Sequence, residues 1–285
     1  MERNDKAAIE ALLKRHGFHF SKSMGQNFLI DPAIPYEIAE SSRANEQNGV
    51  LEIGPGIGAL SHELCERAGK VVAVELDKTL LPILDETMAR FDNFEVVSAD
   101  ILKTDIPALV REKFAGLTPI VCANLPYNIT TPAITALLES KCFESITVLV
   151  QKEVAERMSA KPSTKDYGAI TVLCQYYTEP SIVANVPASL FVPPPKVDSA
   201  VLKLKVLDKP SVEVKDEGVF FRVVKAAFSQ RRKTLLNCLS ANFPIPKDEI
   251  STLLESIGIA PSRRGETLSL EEFANIADTL LQKIK

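Results

Sequence analysis

Short apolar runs alternate with stretches of helical periodicity over the first two thirds of the chain. The runs are rich in β-branched residues and end at turn residues, a pattern typical of strands. The strands predicted in this way are 50–53, 71–76, 94–100, 119–126 and 146–151, followed by the pair 176–187 and 198–207. The early runs are separated by about 17 to 20 residues, which is room for a helix and two turns. The alternation predicts βαβ units around a mostly parallel sheet, with the last pair forming an antiparallel hairpin.

The strand pattern stops at residue 208. Helical patterns then cover 217–239, 247–256 and 269–283, and two more precede the first strand at 5–16 and 32–42. Pro, Gly and Arg-rich turns separate the C-terminal helices. We therefore predict an α/β, Rossmann-like domain with an N-terminal helical extension over 1–207, followed by a small all-α domain over 208–285.

Composition supports a folded, globular protein. The 285 residues are 46% apolar and 25% charged, which is enough apolar material for about two domains with buried cores. The N-terminus is polar and no apolar run approaches the roughly 20 residues that cross a bilayer, so we expect a soluble, cytoplasmic protein with no membrane partner. The five cysteines form no C-x-x-C pair and have no histidine at ligand spacing, which predicts neither a disulfide framework nor a metal site.

The charge is unevenly divided between the two predicted domains. The formal net charge of -4 splits into -5 for residues 1–207 and +1 for residues 208–285. Neither part is broadly basic. Any contact with nucleic acid must therefore come from local basic patches rather than from the field of the whole protein.

The first predicted strand runs directly into a glycine-rich segment, 54–58, that precedes a helical pattern. Glycines in a strand-to-helix turn let the backbone bend and let a ligand approach where a Cβ would collide. Such a turn alone is also compatible with no ligand. Two acids favour a ligand: Glu75 ends the next strand, 21 residues after Gly54, where a carboxylate can accept hydrogen bonds from a ribose diol, and Asp100 ends the third.

The glycine spacing indicates which cofactor fits. Dinucleotide sites favour G-x-G-x-x-G and phosphate-binding loops favour G-x-x-x-x-G-K-[ST], whereas this segment is G-x-G-x-G. A nucleoside without phosphates fits better, with Glu75 on the ribose, Asp100 on the adenine amine and glycine-lined space for a methionine chain. S-adenosylmethionine meets that description. Glu52, inside the first strand, is either a polar contact near the methionine amino group or a group that orients the glycine loop.

The fourth predicted strand ends in the tetrad Asn124-Leu125-Pro126-Tyr127. Ligands gather at strand carboxyl ends in open α/β sheets. The exocyclic amine of adenine is a poor nucleophile because its lone pair is delocalised into the ring. Hydrogen bonds accepted by the Asn124 amide oxygen and the Leu125 carbonyl would favour a reactive geometry, and the Tyr127 ring would stack on the base, a contact worth about 1–3 kcal/mol. A polar strand end followed by a proline turn is the structural alternative.

A basic segment lies at 222–233, with five bases and no acid. Read as a helix, it spreads positive charge around its C-terminal end and forms a candidate patch for phosphates. The composition is equally compatible with a solvated helix C-terminus at which the bases interact favourably with the helix macrodipole. The bases are Arg222, Lys225, Arg231, Arg232 and Lys233.

Several motifs together resemble one protein family over essentially the entire chain. They are Lys22 to Leu29, Glu52 to Gly58, Glu75, Asp100-Ile101, Asn124 to Tyr127, Gln151 to Met158, Phe191 to Ser199 and Phe228 to Lys233. In these segments the sequence is similar to the ribosomal RNA adenine N6,N6-dimethyltransferases, and most of all to the bacterial small-subunit (16S) members. The resemblance implies a Rossmann-like, S-adenosylmethionine-dependent methyltransferase domain and favours RNA contact by the basic segment.

The resemblance also implies roles for individual residues. Gln26, Asn27 and Leu29 stand where the family closes the cofactor pocket near the methionine end, and Tyr127 and Phe191 stand where it brackets the flipped adenine. The implied cofactor-binding set is Gln26, Asn27, Leu29, Glu52, Gly54, Gly56, Glu75, Leu76, Asp100, Ile101 and Asn124. The implied catalytic set is Asn124, Leu125, Pro126, Tyr127 and Phe191.

The substrate that the resemblance implies is 16S rRNA within a small ribosomal subunit or its precursor. Two adjacent adenines near its 3′ end would each receive two methyl groups late in assembly, and we expect the enzyme to be a monomer. Within the same chemistry, methylation of large-subunit rRNA is the alternative. A methyltransferase-derived ribosome-assembly or nucleic-acid-binding factor is a second alternative, and an NAD-dependent oxidoreductase is disfavoured by the glycine spacing.

Overall fold

The computed structural model describes residues 6–20 and 25–284. Lys22, Ser23 and Met24, which begin the first of the motifs above, lie outside the described residues. The strands are β1 (Phe28–Leu29), β2 (Asn48–Ile53), β3 (Lys70–Glu75), β4 (Phe94–Ser98), β5 (Thr118–Asn124), β6 (Ser145–Gln151), β7 (Thr178–Val186), β8 (Phe191–Val192) and β9 (Ser199–Val206). The helices are α1 (Lys6–Arg15), α2 (Ala33–Ser42), α3 (Ala59–Cys65), α4 (Leu81–Met88), α5 (Ile106–Lys113), α6 (Thr130–Ser140), α7 (Lys152–Met158), α8 (Ala169–Tyr177), α9 (Glu217–Ala227), α10 (Leu235–Ser240), α11 (Lys247–Ser256) and α12 (Leu270–Ile284).

A seven-stranded sheet in the order β4-β3-β2-β5-β6-β9-β7 organises the first part of the molecule. The strands from β4 to β6 in this order pair in parallel, and β9 runs antiparallel to β6. The middle residues of the central strands are apolar, rich in valine and buried, as expected for a parallel sheet covered on both faces. The prediction of a mostly parallel, Rossmann-like sheet with an antiparallel part is confirmed.

The connections between strands determine where a ligand can bind. The chain passes from β2 outward to β3 and β4, and then returns to place β5 on the other side of β2. The strand order therefore reverses beside β2. In open α/β sheets the crevice outside the carboxyl ends of the strands at such a reversal is the usual ligand site.

The chain divides into two compact units. The first contains Met1–Ala155 and Pro180–Val206, and the second contains Glu156–Glu179 and Leu207–Lys285. The break after Val206 lies within one residue of the boundary expected at 207, but the segment 156–179 belongs to the second unit rather than to the first. The segment is joined to the second unit by two contacts of Tyr176. Its ring stacks on Phe220 with 4.8 Å between the ring centres, and its carbonyl accepts a hydrogen bond from the Ser211 amide at 2.9 Å.

The second unit also departs from the single helix expected over 217–239. That segment forms α9 and α10, which are separated by a turn at 228–234. The Ser229 hydroxyl donates to the Ala226 carbonyl at 2.7 Å at the end of α9, and the Thr234 side chain caps the start of α10. Arg231, Arg232 and Lys233 consequently lie on an exposed turn, not on a helix as we expected.

No helix in the described ranges, 6–20 and 25–284, is both long enough and apolar enough to span a membrane.

Candidate active site

A cavity of 170 Å³ lies at the carboxyl ends of the parallel strands of the first unit. Each strand contributes a residue at its end or within two positions after it. Gly54 follows β2, Glu75 ends β3, Asp100 follows β4 and Asn124 ends β5. The reversal of strand order beside β2 thus brings four predicted site residues, far apart in the chain, to one opening.

Most of the predicted site residues line this cavity. The cofactor-set residues on it are Gln26, Asn27, Gly54, Gly56, Glu75, Leu76, Asp100, Ile101 and Asn124. The catalytic-set residues on it are Asn124, Leu125, Pro126 and Tyr127. The residues predicted to bind the cofactor and the residues predicted to hold the target base therefore line the same cavity.

Three predicted residues are placed elsewhere. Leu29 and Phe191 are buried in the hydrophobic core of the first unit, and Glu52 is buried inside β2. Phe191 is 1% exposed and pairs with Leu29 where β8 meets β1, so it packs behind the strand that carries Phe28, which does line the cavity. The expected contact between Phe191 and the target base stays a prediction.

The glycine loop is shaped to admit a ligand. Gly54 and Gly56 have φ values of 67° and 60°, which L side chains rarely adopt. A Cβ at Gly56 would lie 3.0 Å from the Phe28 ring, and one at Gly54 would lie 3.3 Å from the Pro126 ring. A side chain at either position would therefore strain the backbone and press against a residue that lines the cavity.

Glu75 is prepared to accept hydrogen bonds from a ligand. It is 6% exposed, and its Oε1 accepts a hydrogen bond from the Asp77 amide at 2.7 Å, which orients the carboxylate. Burial raises its pKa, and the backbone hydrogen bonds oppose that rise. Asp77 also receives the Gln26 amide on Oδ2 at 2.7 Å and so ties the segment that covers the cavity to the acid-bearing strand end.

Two exposed leucines line the cavity: Leu76, which belongs to the predicted cofactor-binding set, and Leu102, which was not predicted. Leu76 and Leu102 are unusually exposed for leucine, at 53% and 41%, and they follow the strand ends that carry Glu75 and Asp100. Exposed apolar side chains beside two acids form a surface that suits a flat heteroaromatic ring. Leu102 lies two residues after Asp100, so the pattern of an acid followed by apolar residues at a strand end was the available signal.

The tetrad holds its groups in different ways. The Asn124 Nδ2 lies 3.5 Å from the Asn27 carbonyl oxygen, an arrangement that leaves Oδ1 as an acceptor. The Leu125 amide donates to the Leu149 carbonyl at 3.1 Å, which continues the sheet pairing past the end of β5. The Pro126 carbonyl accepts from the Ile129 amide at 3.1 Å and closes a tight turn. Tyr127, within that turn, lines the cavity.

Glu52 is a buried carboxyl group that does not reach the cavity. It is 1% exposed, and its Oε2 has no hydrogen-bond partner in the part of the chain that the structure describes. Burial raises the pKa of Glu52 to about 8; the Ser61 hydroxyl opposes this rise, and the Glu75 charge adds to it by a smaller amount. The neutral acid therefore predominates at pH 7.

This burial predicts a pH-dependent stability. Between the ordinary glutamate pKa near 4.5 and about 8, the unfolded chain releases the Glu52 proton and the folded chain keeps it, so the free energy of unfolding falls as pH rises. Glu52→Gln, which cannot ionise, should lose this dependence, and the stability difference should move in favour of the variant by roughly 1 kcal/mol per pH unit in that window. Urea unfolding at pH 5.5 and pH 8 measures it. Parallel pH profiles for the two proteins would contradict the assignment.

The five bases of the basic segment are not equivalent in the second unit. Arg222 donates to the Asn242 carbonyl at 2.9 Å and its guanidinium carbon lies 4.4 Å from the centre of the Phe243 ring, so it is engaged in packing. Lys225, Arg232 and Lys233 are exposed. Arg231 is also exposed and donates to the Lys165 carbonyl at 3.2 Å.

Comparison with known proteins places this site in a family. The family model for "Ribosomal RNA adenine dimethylase" matches residues 17–282. The ribosomal RNA small subunit methyltransferase A of Bacillus mycoides is 50% identical over 275 residues, covering 95% of this chain and 94% of that protein. The protein of the same name from Shouchella clausii is 49% identical over 283 residues, covering 98% and 96%.

Solved structures show the same architecture. A dimethyladenosine transferase from Plasmodium falciparum superposes with a TM-score of 0.73 at 27% identity, covering 87% of this chain and 95% of that one. The 23S rRNA methyltransferase ErmE superposes with a TM-score of 0.67 at 28% identity, covering 90% and 100%. With a family model that spans nearly the whole chain and relatives that match at half of all positions, the protein belongs to the ribosomal RNA adenine dimethylase family.

Proposed function

We propose that this protein uses S-adenosylmethionine to add two methyl groups to N6 of each of two adjacent adenines near the 3′ end of 16S rRNA, within a small ribosomal subunit or its precursor. One observation carries the proposal: the tetrad from Asn124 to Tyr127 lines the same cavity as Glu75 and Asp100. The 49–50% identity to proteins named for the small subunit supports that subunit as the substrate.

The cavity residues fit S-adenosylmethionine. Glu75 would accept hydrogen bonds from the ribose hydroxyls, and Asp100 would accept one from the adenine amine. The Leu76 and Leu102 side chains would contact the faces of the adenine ring, and the glycine loop leaves space for the methionine chain. When bound, the cofactor supplies a methyl group on a positively charged sulfur, which is electrophilic without further activation.

The protein's own contribution is to hold the target amine. The Asn124 Oδ1 and the Leu125 carbonyl accept its two N–H groups, which directs the nitrogen lone pair towards the bound methyl group, and the Tyr127 ring supports the base by stacking. After one transfer a single N–H remains for one acceptor, so the amine can still be directed for a second transfer. The amine proton can pass to water after transfer, so no side chain has to act as a general base.

A transfer experiment tests the proposal. The protein is incubated with radiolabelled S-adenosylmethionine and either small-subunit or large-subunit particles prepared from cells that lack the modification, and the RNA is digested to nucleosides. We expect N6,N6-dimethyladenosine from the small-subunit particles alone. Label confined to large-subunit particles would instead support the alternative substrate, and label on neither would reject the proposed activity.

We propose further that the exposed basic turn of the second unit contacts RNA phosphates. Replacing Arg231, Arg232 and Lys233 with alanine should weaken binding to small-subunit particles by about tenfold or more and flatten the dependence of affinity on salt, because each lost phosphate contact reduces the counterions released. Binding measured across a salt series tests this. The control removes as many charges from other exposed positions of the same unit: Lys209, Lys215 and Lys247. Equal losses from both triple variants would contradict a local contact.

A further inference from the structure

Tyr127 is fixed both at its backbone and at its side-chain hydroxyl. Its backbone lies in the tight turn that follows β5, where the Pro126 carbonyl accepts from the Ile129 amide. Its hydroxyl lies 2.7 Å from the Ser199 hydroxyl, a hydrogen bond between residues 72 positions apart. Ser199 begins β9 and belongs to a motif on which the family resemblance rests, but no role followed for it from the sequence.

Ser199 is rigidly placed. It is 0% exposed, and it pairs with Gln151 in the antiparallel ladder between β9 and β6. A buried serine whose backbone is paired in a sheet has little freedom beyond rotation about its own χ1. The Tyr127 hydroxyl therefore meets a partner whose position is set by the sheet.

This hydrogen bond restricts the ring to one orientation. Turning the Tyr127 side chain would break the bond and leave the buried Ser199 hydroxyl without that partner. An unsatisfied buried polar group costs about 1–3 kcal/mol, so the pinned orientation dominates the population by a factor of roughly 5 to 150. The hydrogen bond from β9 thus fixes the orientation of the Tyr127 ring at the cavity.

We infer that Ser199 is a positioning residue for the target base. Its hydrogen bond to the Tyr127 hydroxyl sets the plane on which the adenine stacks. The second methyl transfer depends on this fixed ring plane more than the first transfer does. The inference rests on the proposed dimethylation. Before the first transfer, Asn124 and Leu125 can both hold the amine. Afterwards only one N–H remains, so the stacking plane carries more of the positioning.

The test compares the two methylation steps in Ser199→Ala. We expect the second transfer to slow about tenfold more than the first, so that N6-monomethyladenosine accumulates on small-subunit particles, while affinity for S-adenosylhomocysteine stays within about twofold. Ser199→Thr keeps a hydroxyl and should largely restore the dimethylated product. The matched control is Thr147→Val on β6, which removes another fully buried hydroxyl of the same sheet away from the cavity.

A double-variant cycle separates positioning from general stabilisation. Tyr127→Phe keeps the stacking ring and loses the hydrogen bond, so it should also accumulate the monomethylated product, and adding Ser199→Ala to it should change the product ratio by less than about twofold. A serine that only stabilises the sheet would add its effect in both backgrounds. If Ser199→Ala does not fold, Tyr127→Phe alone decides.

The outcomes distinguish this inference from the proposed function. Wild-type protein that dimethylates small-subunit RNA, together with an unchanged ratio of mono- to dimethyladenosine in Ser199→Ala or in Tyr127→Phe, overturns the inference and leaves the function standing. Wild-type protein that transfers no methyl group to any particle overturns the function itself.

Discussion

Asn124→Ala is expected to reduce the rate of methyl transfer by about 100- to 1,000-fold, the loss that follows removal of one preorganised polar group from an active site. The Asn124 Nδ2 faces the Asn27 carbonyl at 3.5 Å, so the oxygen of the same amide is the group that the variant takes from the target amine. Without it, the nitrogen lone pair is no longer directed towards the methyl group. Single-turnover methylation of small-subunit particles measures the effect.

Two further measurements test whether the loss of activity is due to the missing amide oxygen. Asn124→Asp retains an oxygen acceptor at the same place and should lose less activity than the alanine variant. Thermal unfolding of both variants should match that of the wild type to within a few degrees, since Asn124 is half-buried at a strand end and not part of the core. Full methylation activity in Asn124→Ala would show that the Asn124 amide does not direct the target amine.

The second large effect concerns the cofactor. Glu75→Ala should weaken binding of S-adenosylhomocysteine by about 100-fold, because hydrogen bonds to a charged group contribute about 1.5–3 kcal/mol and two hydroxyl partners are lost. The carboxylate is already oriented by the Asp77 amide, so little ordering is required when a ligand binds. Isothermal titration calorimetry measures the affinity.

The control for this effect is an acid of the neighbouring strand. Glu95 lies near the amino end of β4 and forms ion pairs with Lys70 and Lys113. It does not line the cavity. Glu95→Ala removes one carboxylate from the same sheet, and the affinity should stay within about twofold of the wild type. An unchanged dissociation constant in Glu75→Ala would rule out the ribose assignment.

The family assignment and the subunit assignment depend on different observations. The superposition with ErmE, a 23S rRNA methyltransferase, shows that one fold serves proteins named for either subunit. The fold alone therefore does not identify the substrate. Identity across the full length, including the helical unit, is what favours the small subunit for this chain.

Local sequence predicted the strand ends well. Glu75 and Asn124 were expected at strand ends and are the last residues of β3 and β5. Glycine at 54 and 56 was expected because a strand-to-helix turn needs backbone freedom, and both residues have positive φ. These features follow from short-range sterics and from the periodicity of apolar residues, which a single sequence carries in full.

The structure differs from the sequence-based expectation where distant segments meet. Phe191 was expected at the cavity, but pairing of β8 with β1 draws its ring into the core. The segment 156–179 was expected with the sheet, but Tyr176 stacks on Phe220 and the segment joins the helical unit. In both cases the partner is many residues away, so apolar periodicity could indicate burial but not the place of burial.

By itself, the sequence determined the mostly parallel α/β sheet, the glycine loop, the acids at successive strand ends and the tetrad that ends β5. The tertiary structure decided that these groups line one cavity, that Phe191 and Leu29 lie in the core beside it, and that Ser199 reaches Tyr127. The physical reason is range: backbone conformation and strand periodicity depend on neighbours in the chain, whereas a side chain's partner across the sheet depends on strand order and register.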